Sequence, residues 1–155
     1  MKKLTMLCLT FLLLIMSCNP NRIFEKHEEV KQSCWSREDK KTYTVDITDT
    51  GSSYNLVIAV RHAQGFGYRD LTVSVRRTAP DGTEVEKEYD LPIIDDNDEY
   101  LGDGAGDIWD REVTADSGIT FPAPGTYKFE ITHAMKDDPL LLVMEVGLIL
   151  ERQEL

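Results

Sequence analysis

The chain has 155 residues, of which 17 are basic and 28 acidic, for a net charge of −11. That length accommodates one domain with a real core and leaves little room for a second. So acidic a chain repels phosphate backbones and anionic headgroups, which excludes nucleic acid as a partner and a basic patch as the means of membrane attachment.

The first eighteen residues carry a distinct signal. Lys2 and Lys3 open the chain, Leu4 to Met16 is apolar apart from Thr5 and Thr10, and Ser17 stands just before Cys18. A charged start, a short apolar run and a small residue before cysteine form the layout of an exported lipoprotein precursor. Residues 1–17 are therefore expected to be removed and Cys18 to take acyl chains through its thiol. Thirteen mostly apolar residues are too few for a membrane span, which needs about 20. Removal of residues 1–17 takes away Lys2 and Lys3 and no acid, so the mature charge becomes −13. Several acyl chains hold a protein stably where one does not.

Residues 18–23 then read as a lipidated tether, polar and interrupted by Pro20, and residues 24–155 as the folded domain. Cys8 leaves with the signal, and Cys34 is left without an internal disulfide partner. It is expected half-buried beside Trp35 as a small apolar residue; a reactive thiol is the alternative.

Ile23 to Cys34 is mixed and reads as a first strand or an irregular lead-in. Trp35 to Asp39 reads as a turn with an aromatic anchor. From Lys41 the period is two: Tyr43, Val45 and Ile47 alternate with Thr42, Thr44, Asp46 and Thr48. Asp49 to Ser53 is a turn cluster, and Tyr54 to Arg61 reads as a central strand because both its faces are partly apolar. Gly65-Phe66-Gly67-Tyr68 breaks the run. Leu71, Val73 and Val75 mark the next strand, Pro80-Asp81-Gly82 a turn, and Val85 to Leu91 a polar edge strand whose charges discourage edge-to-edge pairing.

Pro92 to about Gly118 is expected to be a long irregular loop, ordered by Leu101, Ile108 and Trp109, with at most a short strand over Arg111 to Val113. Tyr127, Phe129 and Ile131 define another strand, with His133 read on its polar side as a satisfied structural histidine. Leu142, Met144, Val146, Leu148 and Leu150 form one face of the last strand, and Val143, Glu145, Gly147 and Ile149 the other. Beyond the signal no helical period appears. The fold class expected is all-β: a single-domain antiparallel β-sandwich, jelly-roll or immunoglobulin-like.

Little in the chain points to catalysis. There is no Gly-x-Ser-x-Gly elbow, and His27, His62 and His133 are too scattered for a zinc site. No cofactor is expected. The acidic loop could supply a structural calcium ion with carboxylates from Asp95, Asp96, Asp98, Asp103 and Asp107, but its spacing is not that of an EF-hand. A solvated acidic loop is the plainer account. Tyr68, Tyr100 and Trp109 lie in or beside loops, where they could contact a partner or stack on sugar rings; such aromatics more often plug the end of a sandwich.

Several blocks together resemble a known family. The lipobox, Trp35 to Asp39, Tyr54 to Arg61, Tyr68 to Leu71, Leu101 to Ile108, Gly125 to Phe129, His133 to Met135 and Val146 to Leu148 follow the order seen in the GldH-type gliding-motility lipoproteins of the Bacteroidetes. The resemblance runs over nearly the whole mature chain. Gly65 to Tyr68 departs from it, since the family approaches the position of Arg69 through an aromatic-proline-aromatic run. The resemblance implies a non-enzymatic lipoprotein of the cell envelope. Its partners would be envelope proteins of the gliding or type IX secretion machinery. Asn19-Pro20-Asn21-Arg22 is not an acidic surface-export tag, so the anchor is expected in the outer membrane, facing the periplasm. The resemblance supplies no catalytic motif. Leu101 to Ile108 is read either as a block for partner contact or as a tight loop, permitted by its glycines, that closes the sandwich.

Overall fold

A computed structural model describes residues 19–153. Cys18 and the export segment expected over residues 1–17 lie outside them. The described residues form eleven strands and one short 3-10 turn, Lys31–Ser33. The strands are β1 Arg22–Glu29, β2 Cys34–Trp35, β3 Lys41–Ile47, β4 Tyr54–Ala63, β5 Asp70–Thr78 and β6 Glu84–Pro92. They continue with β7 Asp103–Ala105, β8 Ile108–Ile119, β9 Gly125–His133, β10 Leu140–Leu141 and β11 Val143–Arg152. Among them no helix is long and apolar enough to cross a membrane.

All pairings are antiparallel. One sheet has the order β1-β11-β4-β8-β7 and the other β3-β9-β5-β6, with β10-β2 as a two-stranded ladder. The two sheets bury their apolar faces against each other as a β-sandwich with one core. β3 alternates strictly, with Tyr43, Val45 and Ile47 inward. Leu71, Val73 and Val75 of β5 join Tyr127, Phe129 and Ile131 of β9 from the same sheet. Leu56, Ile58 and Val60 of β4, with Val146, Leu148 and Leu150 of β11, face them. Each such side chain, fully buried, contributes about 1.5–3 kcal/mol relative to exposure. Tyr43 carries its hydroxyl into this core and donates to the carbonyl of Val146 at 2.7 Å. Burial raises its pKa far above the phenol value.

β4 is central, as its two apolar faces require, because the outer one also packs: Val57 and Ala59 meet Ile149 there as a second small cluster. β6 is an edge strand.

Three expectations are corrected. The stretch Pro92 to Gly118 is not one irregular loop: β7 and β8 form a hairpin, and β8 runs twelve residues along β4. Its period is hidden because its half-buried side mixes Trp109 and Val113 with Arg111, whose Nε donates to the Pro92 carbonyl at 3.1 Å. In β11 a bulge between Val143 and Glu145 shifts the register against β4, and Val143 is in the core rather than outside it. His133, two residues past Ile131, follows the inner face of β9 and is 1% exposed.

Candidate functional site

The register fixes two unlike ends. Arg22 at the start of β1 lies opposite Glu151, and Arg152 lies opposite Tyr54, which lies opposite Ile119. Asn19 is beside them, its Nδ2 3.2 Å from Glu151 Oε1. The chain therefore enters the sandwich at this end. The opposite end gathers the turn after β1, the segment 64–69, the segment 93–102, the β7–β8 hairpin and the segment 134–142. Every sequence-derived contact or metal candidate within the described residues falls at that far end. None falls beside Asn19.

A row of rings closes the far end. Tyr68 packs on Phe66 at 5.4 Å between centroids, Phe66 on His62 at 5.4 Å, His62 on Tyr100 at 4.9 Å and Tyr100 on Trp109 at 5.3 Å. The hydroxyl of Tyr100 accepts from the Gly65 N–H and donates to the Phe66 carbonyl, both at 2.9 Å. Tyr68 donates to Asp137. The hairpin needs two glycines. A Cβ on Gly102, at φ +104, would stand 2.2 Å from the Asp110 carbonyl oxygen, and one on Gly104 would stand 2.9 Å from the ring of Trp109. Trp109 thus lies flat on β7 because nothing projects from Gly104.

The five acids proposed for calcium do not converge. Asp95 closes its own turn, Oδ1 accepting from the N–H groups of Asn97 at 2.8 Å and Glu99 at 2.9 Å. These bonds, that from Glu99 first, hold its carboxyl below the usual range. Asp98 pairs with Arg69. Asp103 stands opposite Asp110, which is bound by Arg61 at 2.7 Å. Asp107 offers its backbone carbonyl to Gln64 N–H at 2.8 Å. Asp96 projects into solvent. Among the described residues no group of three or more such side chains could hold a metal ion. The calcium reading finds no support, because these acids serve turns, ion pairs or solvent.

Two histidines at this end are buried, His62 within the row and His133 outside it. His62, 0% exposed, has Nδ1 3.2 Å from the Ala63 carbonyl and no partner at Nε2. His133 packs edge-on to Trp35 at 5.3 Å; its Nε2 is 3.4 Å from Asp138 Oδ1, and neither ring nitrogen makes a good hydrogen bond. The expectation of a satisfied histidine therefore fails in its second half. Burial lowers the pKa of both, since it disfavours the charged ring. Both are walled off from solvent. Cys34 is free and half-buried. Lys41 is buried too, but its ammonium is satisfied by the Glu29 carbonyl at 2.8 Å and Asp39 Oδ2 at 2.7 Å.

The outer face of the five-stranded sheet was not foreseen. Arg22 bonds Glu25 at 3.0 Å, Glu112 at 2.8 Å and Glu151 at 3.1 Å. Glu25 lies opposite Ile149 and Glu112 opposite Ala59, so Arg22 bridges over the small outer apolar cluster. Beside it His27 stands between Glu25 at 3.1 Å and Glu145 at 3.2 Å, over Gly147. The only sequence signal was the charge of Arg22 to Glu29, which periodicity does not resolve into faces.

These elements define a class: an acidic antiparallel β-sandwich with a ring-lined end opposite the entry of its N-terminal segment. The model of the family described as GldH lipoprotein matches residues 22–150, and the chain belongs to that family. A protein of Christiangramia forsetii called "Gliding motility lipoprotein GldH homolog" is 24% identical over 125 residues, 81% of this chain and 76% of its own length. Likenesses to solved structures are remote. A family GH115 4-O-methyl-alpha-glucuronidase with specificity for decorated arabinogalactans matches at TM-score 0.46 and 8% identity, over 90% of this chain but 19% of its own. TmCBM61, solved with beta-1,4-galactotriose, matches at 0.33 and 11%, over 86% of this chain and 92% of its own. Neither likeness bears on function.

Proposed function

We propose that the protein is a non-enzymatic component of the gliding-motility apparatus. In this reading it is cut before Cys18, held by acyl chains on that residue in the outer membrane, and turned toward the periplasm. Its tether ends where β1 begins at Arg22, and the chain from there on is its working domain. Its partners are envelope proteins of the gliding or type IX secretion machinery. Family membership and the named relative support the setting. One observation carries the mode of action: Tyr68, Tyr100, Trp109 and the acidic turns sit at the end opposite Asn19. An anchor at Cys18 therefore leaves them farthest from the lipid. Protein contact is favoured over sugar stacking because the rings of Tyr100 and Trp109 pack on each other and that of Trp109 also on Gly104.

The test is recovery of a tagged, Cys18-anchored chain from membranes after cross-linking, beside a Cys18→Ala form. Envelope proteins should accompany the anchored chain, and gliding should be lost with Cys18→Ala. Full gliding with the soluble form, or no envelope protein above background, overturns the proposal.

A further inference from the structure

One long side of the sandwich is left open. β6 ends the four-stranded sheet, and β7 covers β8 only from Ile108 to Asp110. The two edges lie together, since Lys87 and Tyr89 of β6 both bond Asp116 of β8 at 2.8 Å. They are not equivalent. β8 carries register shifts against β4, as β1 does against β11, whereas β6 pairs β5 over nine residues with none. A bulged edge is a poor template for a further strand and a regular one a good template. Apart from the ladder to β5, no main-chain group of residues 84–91 has a partner among the described residues. β3, the other edge of the same sheet, exposes only Thr42, Thr44 and Asp46.

The two faces of β6 differ in chemistry. On the core side Val85 is 48% exposed and lines a cleft of about 60 Å³ between the sheets, which reaches Leu56, Val75, Ile119 and Phe129. A single water needs about 10–15 Å³, so the cleft takes a small aliphatic group. The cations on this side are already committed, Lys87 to Asp116 at 2.8 Å and Arg77 to the ring of Phe121 at 5.3 Å. On the outer side Glu84, Glu86, Glu88 and Asp90 are all exposed. Glu86 is held by Arg76 at 2.9 Å and Ser74 at 2.7 Å, and Asp90 by Thr72 at 2.6 Å. Glu88, opposite Ser74, has no side-chain partner among the described residues. Arg76 and Lys40 are the cations near these acids, since Lys128 is paired with Glu130. Four carboxylates against two cations leave the outer side of this edge acidic.

These charges exclude one occupant and select another. A second β6 would set glutamate opposite glutamate, which is unfavourable in a ladder, whereas a strand carrying lysine or arginine is complementary. We propose that β6 takes an extended segment of a partner protein as a further strand of its sheet. In that segment aliphatic residues alternate with lysine or arginine. The aliphatic residues turn inward onto Val85 and the cleft, and the cations turn outward against Glu84, Glu86 and Glu88, because residues opposed in a ladder share a face. The inference rests on the protein-contact reading above and adds a surface along the side of the sandwich to the one at its far end.

The experiment places a photo-reactive amino acid in the anchored chain, in place of Val85 or, in a parallel chain, of Tyr68. Both are cross-linked in cells and recovered through a tag, and the captured peptides are sequenced. Capture from the position of Val85 should yield a segment in which leucine, isoleucine or valine alternates with lysine or arginine. Glu88→Lys in the same chain should cut that capture by about tenfold or more, and Glu88→Gln by less. The control Glu38→Lys, exposed in the turn before β3, should leave it unchanged. Capture from the position of Tyr68 alone overturns the inference while leaving the protein-contact reading intact; capture from neither overturns both. A peptide from this chain itself, an acidic one, one without the alternation, or equal capture by all the variants also overturns it. Equal unfolding midpoints of Glu88→Lys and the unsubstituted chain would show that the loss is not one of folding; where they differ, Glu88→Gln, which adds no positive charge, carries the comparison.

Discussion

The two ends of the sandwich are closed by the same kind of side chain in different ways. At the entry end Phe121 packs edge-on against Tyr54 at 5.3 Å and Tyr127 at 4.7 Å, all about 1% exposed. Both hydroxyls are satisfied locally, Tyr54 by the Asp49 carbonyl and Tyr127 by that of Ala123. Positive φ occurs there only at glycine, as at Gly82 in the β5–β6 turn and Gly118 near the end of β8. At the far end the rings of Tyr68, Tyr100 and Trp109 are partly exposed, His62, Trp109 and His133 hold buried nitrogens without partners, and every described non-glycine residue of positive φ is found. One end is arranged as a minimum of free energy. The other departs from it in several ways at once, and it is this departure that the proposed partner-contact role of that end would account for.

The largest expected effect tests the settled end. Phe121→Ala should lower stability by about 3–5 kcal/mol in denaturant unfolding while leaving amide exchange of the β7–β8 hairpin at its wild-type rank order. Equal loosening of both ends would mean that they are not independent. Next, Gly102→Ala should cost about 2–3 kcal/mol, because its Cβ meets a backbone oxygen and its φ is positive. Here Trp109 fluorescence should change with the hairpin, and an unchanged spectrum and midpoint would break the case for a fixed hairpin.

A third effect concerns acid. His62 and His133 have folded pKa values below the ordinary 6.5, so between those values the unfolded chain binds more protons. Their contribution is complete above about pH 6.5 and is lost as pH falls through the folded values. The limit is about 1.4 kcal/mol per pH unit for each ring. His62→Phe should flatten the fall in melting temperature between pH 6.5 and 5; a slope equal to wild type would remove His62 from the account. The smallest effect is a gain. Gln32→Gly should raise stability by about 1 kcal/mol, since its φ of 54° suits glycine. A loss would mean that the left-handed turn is stabilised by contacts of the glutamine side chain.

The sandwich was legible wherever one face is apolar without interruption. Tyr43-Val45-Ile47 and Tyr127-Phe129-Ile131 announce β3 and β9, and the Pro80-Asp81-Gly82 turn announces the β5–β6 hairpin. β8 was not legible, because Arg111 takes an inward position where the pattern calls for an aliphatic residue. Nor was the bulge in β11, since an extra residue leaves no mark in composition. The aromatic candidates were named one by one, but the pairing of Tyr100 with Trp109 depends on a hairpin register that only the glycines at 102 and 104 permit.

The pairing of β1 with β11 has a mechanical side. β1 enters beside Asn19 and runs toward the far end, held to β11 from Arg22 opposite Glu151 to Glu29 opposite Glu145. A pull between the entry point and the far end acts along the axis of β1. Its bonds to β11 lie across that axis, so they share the load in shear rather than opening one after another like a zip. Arg22, clamped by three carboxylates at the first turn of load, resists the initial slip. A domain attached in this way transmits tension along its long axis before its core yields.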